Sequence, residues 1–171
     1  MNVNDIKKCL LLNGREHEVL SSFLKCRFEE IYISGGDLEQ YRIKSSQFFS
    51  IPSLWISCQQ MIRVHGVVCD IEEKLELFRV GISEDKDFSG IENDLFFRPK
   101  RKIVTKFPDD LNLHNFFSRG ISSAEPIISE EIINSTKYKV HSRMELINNA
   151  GARLMIEASD DIPMNLNISL E

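Results

Sequence analysis

YKVHSRMELINNAGARLMIEASDDIPMNLNISLE, residues 138–171, is the stretch from which the fold is read. Tyr138, Val140, Met144 and Leu146 alternate with Lys139, His141, Arg143 and Glu145, and Ser142 alone interrupts the apolar set. Such alternation turns one row of side chains toward a core and the other toward water. Ala152, Leu154, Ile156 and Ala158 repeat the pattern, and Met164, Leu166, Ile168 and Leu170 repeat it again. A C-terminal three-strand meander is expected. Asn149-Ala150-Gly151 suits a three-residue hairpin loop with Gly151 in the left-handed region. That register sets Leu146 against Leu154, Met144 against Ile156 and Arg143 against Glu157. A slip of one residue would pair core positions with polar ones. The last strand, 164–170, is expected at a sheet edge, where free backbone groups can pair with a partner or with a second copy of the chain.

Upstream, the signals are mixed. Helices are expected at 4–12, ending at Gly14, and at 15–25, with Val19, Leu20, Phe23 and Leu24 as the apolar stripe of the second. A hairpin is expected from 28–34 and 38–44 around Gly35-Gly36-Asp37. Ser50 with Pro52 resembles a helix start. Ile51, Leu54, Trp55, Cys58, Met61 and Ile62 then fall at helical spacing, so an amphipathic helix is expected over 52–63. Strand character returns at 67–71 and 78–82, and again at 95–97 and 102–107. Short helices are read at 108–120 and 124–135. The whole is α+β: a mostly antiparallel sheet packed by helices, in a single globular domain spanning residues 1–171.

Composition narrows the function. The 171 residues carry 21 Lys and Arg against 26 Asp and Glu, a formal charge of −5, which argues against a nucleic-acid binder driven by bulk charge. No run approaches the roughly 20 apolar residues of a membrane span, so no membrane partner is expected. The N-terminus shows no basic then apolar pattern of a secretory signal. Cys9, Cys26, Cys58 and Cys69 are widely spaced and lack a CxxC, so reduced thiols in a cytoplasmic protein are expected.

Residues 84–94 form the most distinctive chemical stretch. Asp85, Asp87, Ser89 and Gly90 stand at the first, third, fifth and sixth positions of a loop that resembles the first half of an EF-hand calcium loop. Glu92 occupies the eighth position and Phe96 the twelfth, where that family places an apolar residue and a bidentate Glu, so the expectation is a solvated loop with no metal and no cofactor. Phe88 and Ile91 among Glu84, Asp85, Asp87, Glu92 and Asp94 make this loop the expected partner-binding surface, with apolar anchors for burial and acids for steering. Two other clusters offer alternatives. Asp70, Glu72 and Lys74 have part of the spacing of metal-dependent nucleases, whose carboxylates hold Mg²⁺. The basic run 98–102, beside Phe96 and Phe97, offers phosphate and base contacts.

No catalytic set emerges: the four His show no HxH or HExxH spacing, and neither GxSxG nor a Walker A pattern occurs. The expected function is therefore that of a small cytoplasmic, bacterial protein-binding protein, such as an immunity or inhibitor protein that occludes the active site of a basic toxin. A metal-dependent nuclease-like or other small enzyme is the alternative, followed by nucleic-acid contact through 98–102.

Overall fold

The computed structural model describes residues 9–34, 41–43, 48–85, 103–104, 107–160 and 165–171. Its strands form two five-stranded antiparallel sheets. The first holds β1 (Glu30–Ser34), β3 (Ser53–Cys58), β4 (Gln60–Glu72), β5 (Leu75–Asp85) and β6 (Ile103–Val104), in the order β5-β4-β3-β1-β6. The second holds β2 (Phe49–Ile51), β7 (Ile121–Ile133), β8 (Thr136–Asn148), β9 (Arg153–Ala158) and β10 (Leu166–Leu170), in the order β2-β10-β9-β8-β7. Among the described residues the named helices are α1 (Gly14–Ser22), α2 (Leu113–Ser118) and a 3-10 turn at Asp109–Leu111. Among the described residues no helix is long and apolar enough to cross a membrane.

One core joins the sheets. Ile31, Leu54, Ile56, Val64 and Val80 of the first sheet meet Phe49, Leu146, Ile156 and Ile168 of the second. Val19, Leu20 and Phe23 of the α1 segment, with Phe116 and Phe117 of α2, close the same cluster. Leu24, by contrast, is exposed. Burying each such side chain contributes roughly 1.5–3 kcal/mol. The chain crosses between sheets at Pro52, with Ile51 ending β2 and Ser53 starting β3. Proline has no N–H to give a ladder, so this corner suits it.

The amphipathic helix expected over 52–63 is replaced by β3 and the start of β4, paired Leu54 to Val64 and Ile56 to Ile62. All of β3 is buried. Leu54, Ile56 and Cys58 enter the main core, while Trp55 packs with Met61 and Tyr32 in a separate cluster. A strand covered on both faces loses its alternation, and its apolar run then satisfies helical spacing equally well. The helix expected over 124–135 is likewise β7. Pro126 fits a helix start and an edge strand alike. The turn at Asn134 and Ser135 decides, with φ of 49° and 65°, the left-handed pair of a type I′ hairpin turn. Gly14 opens α1 rather than ending a helix, and only residues 9–12 of the expected 4–12 helix are described. From the expected hairpin strand 38–44, residues 41–43 are described, and Arg42 bridges Phe49 of the second sheet instead of pairing with β1.

In the C-terminal region β8, β9 and β10 are consecutive neighbours, with Leu146 opposite Leu154, Met144 opposite Ile156 and Arg143 opposite Glu157. Gly151 has φ 86°. β10 is not an edge: Leu166, Asn167 and Ile168 pair with Ile51, Ser50 and Phe49 of β2. The free edge expected at 164–170 for a second copy of the chain is therefore occupied along these residues. Among the described strands the edges of this sheet are β2 and β7.

Ser142 interrupts the apolar alternation because it is the extra residue of a bulge: Ile127 pairs with Arg143 and Ile128 with His141. The bulge divides β8 between two clusters. Met144 and Leu146 belong to the main core, whereas Tyr138 and Val140 pack with Leu10, Cys69 and Ile71.

Asn148 ties the hairpin loop to α2. Its Oδ1 accepts the N–H groups of Ala150 and Ala152 at 3.0 and 2.9 Å, and its Nδ2 donates to the Phe116 carbonyl at 3.2 Å. The side chain is buried, so Asn148→Ala leaves buried groups unmatched. A loss of about 2–3 kcal/mol in urea denaturation is expected.

Candidate protein-binding surface

Edge strands are normally blunted, because a row of free N–H and C=O groups invites pairing with another chain. β7 carries Pro126 in its first half, while its second half is guarded by Glu130, Glu131 and the bulge opposite Ile127 and Ile128. From Ile127 to Ile133 it carries no proline, and it exposes two large apolar side chains, Ile128 at 48% and Ile132 at 73%. Side chains alternate along a strand, so Ile128, Glu130 and Ile132 share one face and Ser129, Glu131 and Ile133 the other. Ile133 packs against the Tyr138 cluster. Ser129 and Glu131 line a groove of about 340 Å³ whose other walls include Phe78, Arg143, Glu157 and Asp160. Three carboxylates thus face one guanidinium in this groove. Among the described residues no strand lies beyond β7, so this edge combines an unpaired outer backbone, an apolar rail and an acidic flank.

On the rail face Lys137 bonds Glu130 at 2.8 Å. Its hydrogen bond and charge hold the Glu130 carboxyl below the ordinary range. Both groups are well exposed, so the pair adds little to stability.

The residues singled out in the sequence fare differently. Glu84 and Asp85 do not begin a loop. They end β5, paired with Ile62 and Met61. Glu84 is engaged by Arg15 at 2.5 Å. Asp87, Phe88, Ile91, Glu92 and Asp94 lie outside the described residues, as does the basic run 98–102. Asp70, Glu72 and Lys74 sit around the β4–β5 turn, where Lys74 has φ 65° and Glu72 accepts from Asn134 Nδ2 at 3.1 Å. Among the described residues no group of three His, Cys, Asp or Glu side chains is placed to hold a metal ion.

A second concavity, of about 420 Å³, lies where α1 crosses β4 and β5, lined in part by Glu16, His65, Arg79 and Glu84. Glu16 is the N3 residue of a capping box, its Oε1 accepting the Asn13 N–H at 3.2 Å while Asn13 Oδ1 accepts from Glu16 N at 2.8 Å. It also receives Arg79 Nη1 at 2.9 Å, Arg79 Nη2 at 3.1 Å and the Ile82 N–H at 3.2 Å. Burial works against ionisation of Glu16. The Arg79 hydrogen bonds and charge, with the Asn13 and Ile82 N–H groups, outweigh it and hold the carboxyl below its ordinary range. Both ions are committed to each other and to the backbone, so this cleft reads as a structural clasp rather than an acid–base site.

Two histidines share the clasp's surroundings. His141, expected on the outward face of its strand, is buried at 7% exposure, because the segment before α1 covers it. Its N–H donates to the Leu10 carbonyl at 3.0 Å, and its Nδ1 accepts the Leu12 N–H at 2.8 Å. Burial, then the charges of His17 and Arg79, lower its pKa. Burial, then Arg63, lower that of His65, whose ring lies so close to Gly81 that a Cβ there would stand 3.0 Å from it. Both rings take up a proton at lower pH in the fold than in the unfolded chain, where the ordinary value is 6.5. Stability is thus level above pH 6.5 and falls as the pH drops from there through the folded-state values, by at most about 1.4 kcal/mol per pH unit for each ring. Chemical denaturation across pH 7 to 5 checks this. His141→Asn, whose Oδ1 can replace the Nδ1 acceptor, is expected to flatten the slope.

The sequence did not single out Glu16, Arg79 or β7. Asn13 followed three residues later by Glu16 is a capping-box signal that marks the first. Nothing local marks Arg79, whose burial depends on α1 lying across β5. Comparison with family models, with curated proteins and with solved structures gives no match.

Proposed function

We propose that the protein is a protein-binding protein that takes up an extended, basic segment of its partner along β7. The observation that carries this reading is the proline-free half of the edge, Ile127 to Ile133, with Ile128 and Ile132 exposed beside a groove lined by Glu131, Glu157 and Asp160. Strand addition would supply affinity through main-chain hydrogen bonds. The isoleucines would supply anchors, and the carboxylates a preference for basic chains. An immunity or inhibitor protein acting in the cytoplasm, covering a basic catalytic cleft, is the form of this activity that the acidic balance favours. The acidic stretch 84–94 is a second contact under the same reading.

Site-directed photo-crosslinking in cells tests it. A photoreactive residue at position 132 or 128 is expected to capture one basic protein. The same residue at Glu73, exposed at the β4–β5 turn, is expected to capture far less. Equal yields from all three positions would reject the edge as the binding surface.

A further inference from the structure

We propose that Cys9 and Cys69 form a dithiol that closes reversibly to a disulfide by exchange with a low-molecular-weight disulfide such as oxidised glutathione. All four cysteines of the chain are free thiols in the structure, and these two, 60 residues apart, touch with one of them exposed: Cys9 Sγ donates to Cys69 Sγ at 3.0 Å. Cys69 Sγ in turn donates to the Cys9 carbonyl at 3.4 Å.

The contact is held from both sides. Cys69 is fixed in β4, paired with Leu77. Cys9 is fixed by Arg79 Nε, which donates to its carbonyl at 2.6 Å, and by the bonds of Leu10 and Leu12 to His141. A disulfide needs about 2.05 Å between sulfurs, so side-chain rotation alone has to supply roughly the last ångström.

The two thiols differ in access. Cys9 is exposed and Cys69 is buried. Burial, and then the neighbouring Cys9 thiol, push the Cys69 pKa up to about 12. The exposed thiol is therefore the one that meets a reagent, and the buried one resolves. In the first step the Cys9 thiolate attacks one sulfur of the small disulfide. A mixed disulfide forms and one small thiol leaves, carrying the Cys9 proton. In the second, Cys69 sulfur attacks the Cys9 sulfur, the Cys9–Cys69 bond forms, and the second small thiol leaves with the Cys69 proton. Two protein thiols are oxidised by two electrons, and one small disulfide is reduced to two thiols.

Closure staples the segment before α1 onto β4, across the cluster of Leu10, Ile71, Tyr138 and Val140. A link over a loop of this length is expected to raise Tm by on the order of 10 °C.

The full chain, equilibrated in glutathione buffers from fully reduced to fully oxidised, acid-quenched, alkylated and peptide-mapped, tests this. The expected result at the oxidised end is a peptide pair joined at Cys9 and Cys69, lighter by two hydrogens than the reduced pair, with the Tm rise, both reversed by reduced glutathione. Cys9→Ser, at an exposed position, is expected to keep the reduced protein's Tm and to lose both the linked peptide and the rise. A persistent glutathione adduct on Cys9 without the linked peptide would overturn the proposal. So would both cysteines remaining alkylatable throughout.

Discussion

Arg79→Met is expected to cost about 3–5 kcal/mol in urea denaturation, because it strands the Glu16 carboxylate under α1 without its counter-ion. The guanidinium makes four hydrogen bonds: two to Glu16, one to the Val80 carbonyl and one to the Cys9 carbonyl. It therefore ties α1, β5 and the segment before α1 at one point. Glu16→Leu combined with Arg79→Met removes both ions together and should recover part of the loss, since a buried pair is often no more stable than apolar residues of similar volume. The Asn13 and Ile82 N–H groups still lose an acceptor, so recovery is incomplete. A coupling of about 2 kcal/mol or more between the two sites is expected, and simple additivity would show that the pair does not act as a unit. The pH dependence has a fixed sign. Glu16 has its folded pKa below its ordinary 4.5. The pair's contribution is thus complete above pH 4.5 and lost as the pH falls through the folded value. In Arg79→Met the main opposition to burial is gone, and that acid-side loss should shrink.

Ile128→Lys with Ile132→Lys is expected to weaken partner binding at least tenfold, about 1.4 kcal/mol, while changing stability by no more than about 0.5 kcal/mol per site. The two effects separate because both side chains stand largely in solvent. Folding gains little from them, whereas an added strand would cover them. The lysines also act against the partner directly, placing positive charge where a basic segment must lie. Calorimetry with the crosslinked partner, set beside urea denaturation of the variant alone, separates these quantities. Loss of binding with a matching loss of stability would point to a damaged fold instead.

Strands whose wet and buried rows differ in polarity were legible in the sequence, and a strand buried on both faces was not. Around residues 144–158 the apolar and polar rows differ sharply, and the register follows from them down to Arg143 opposite Glu157. The same alternation identified 78–82. It was erased in β3, where Trp55 is as buried as Leu54, and the leftover spacing matched a helix. Pro126 misled for a different reason, since a helix start and an edge strand impose the same demand, a residue with no N–H to offer. Ser142 was visible as a break but not as a bulge, because the distinction lies in how β7 pairs across it. The clasp was half legible: the capping box shows in Asn13 and Glu16, while Arg79 becomes its partner only through the packing of α1 on β5. The proposed interaction surface was the least accessible. Its strand, 121–133, resembled a helix, and whether 164–170 is an edge depends on β2, a strand of Phe49–Ile51 far away in sequence, pairing with β10.

Hydrogen exchange of β7 with and without the crosslinked partner tests the central claim most directly. Strand addition predicts that, within residues 127–133, the amides not bonded to β8 slow strongly on binding, while exchange at the β4–β5 turn stays the same. Unchanged exchange along β7 in a saturated complex would contradict it.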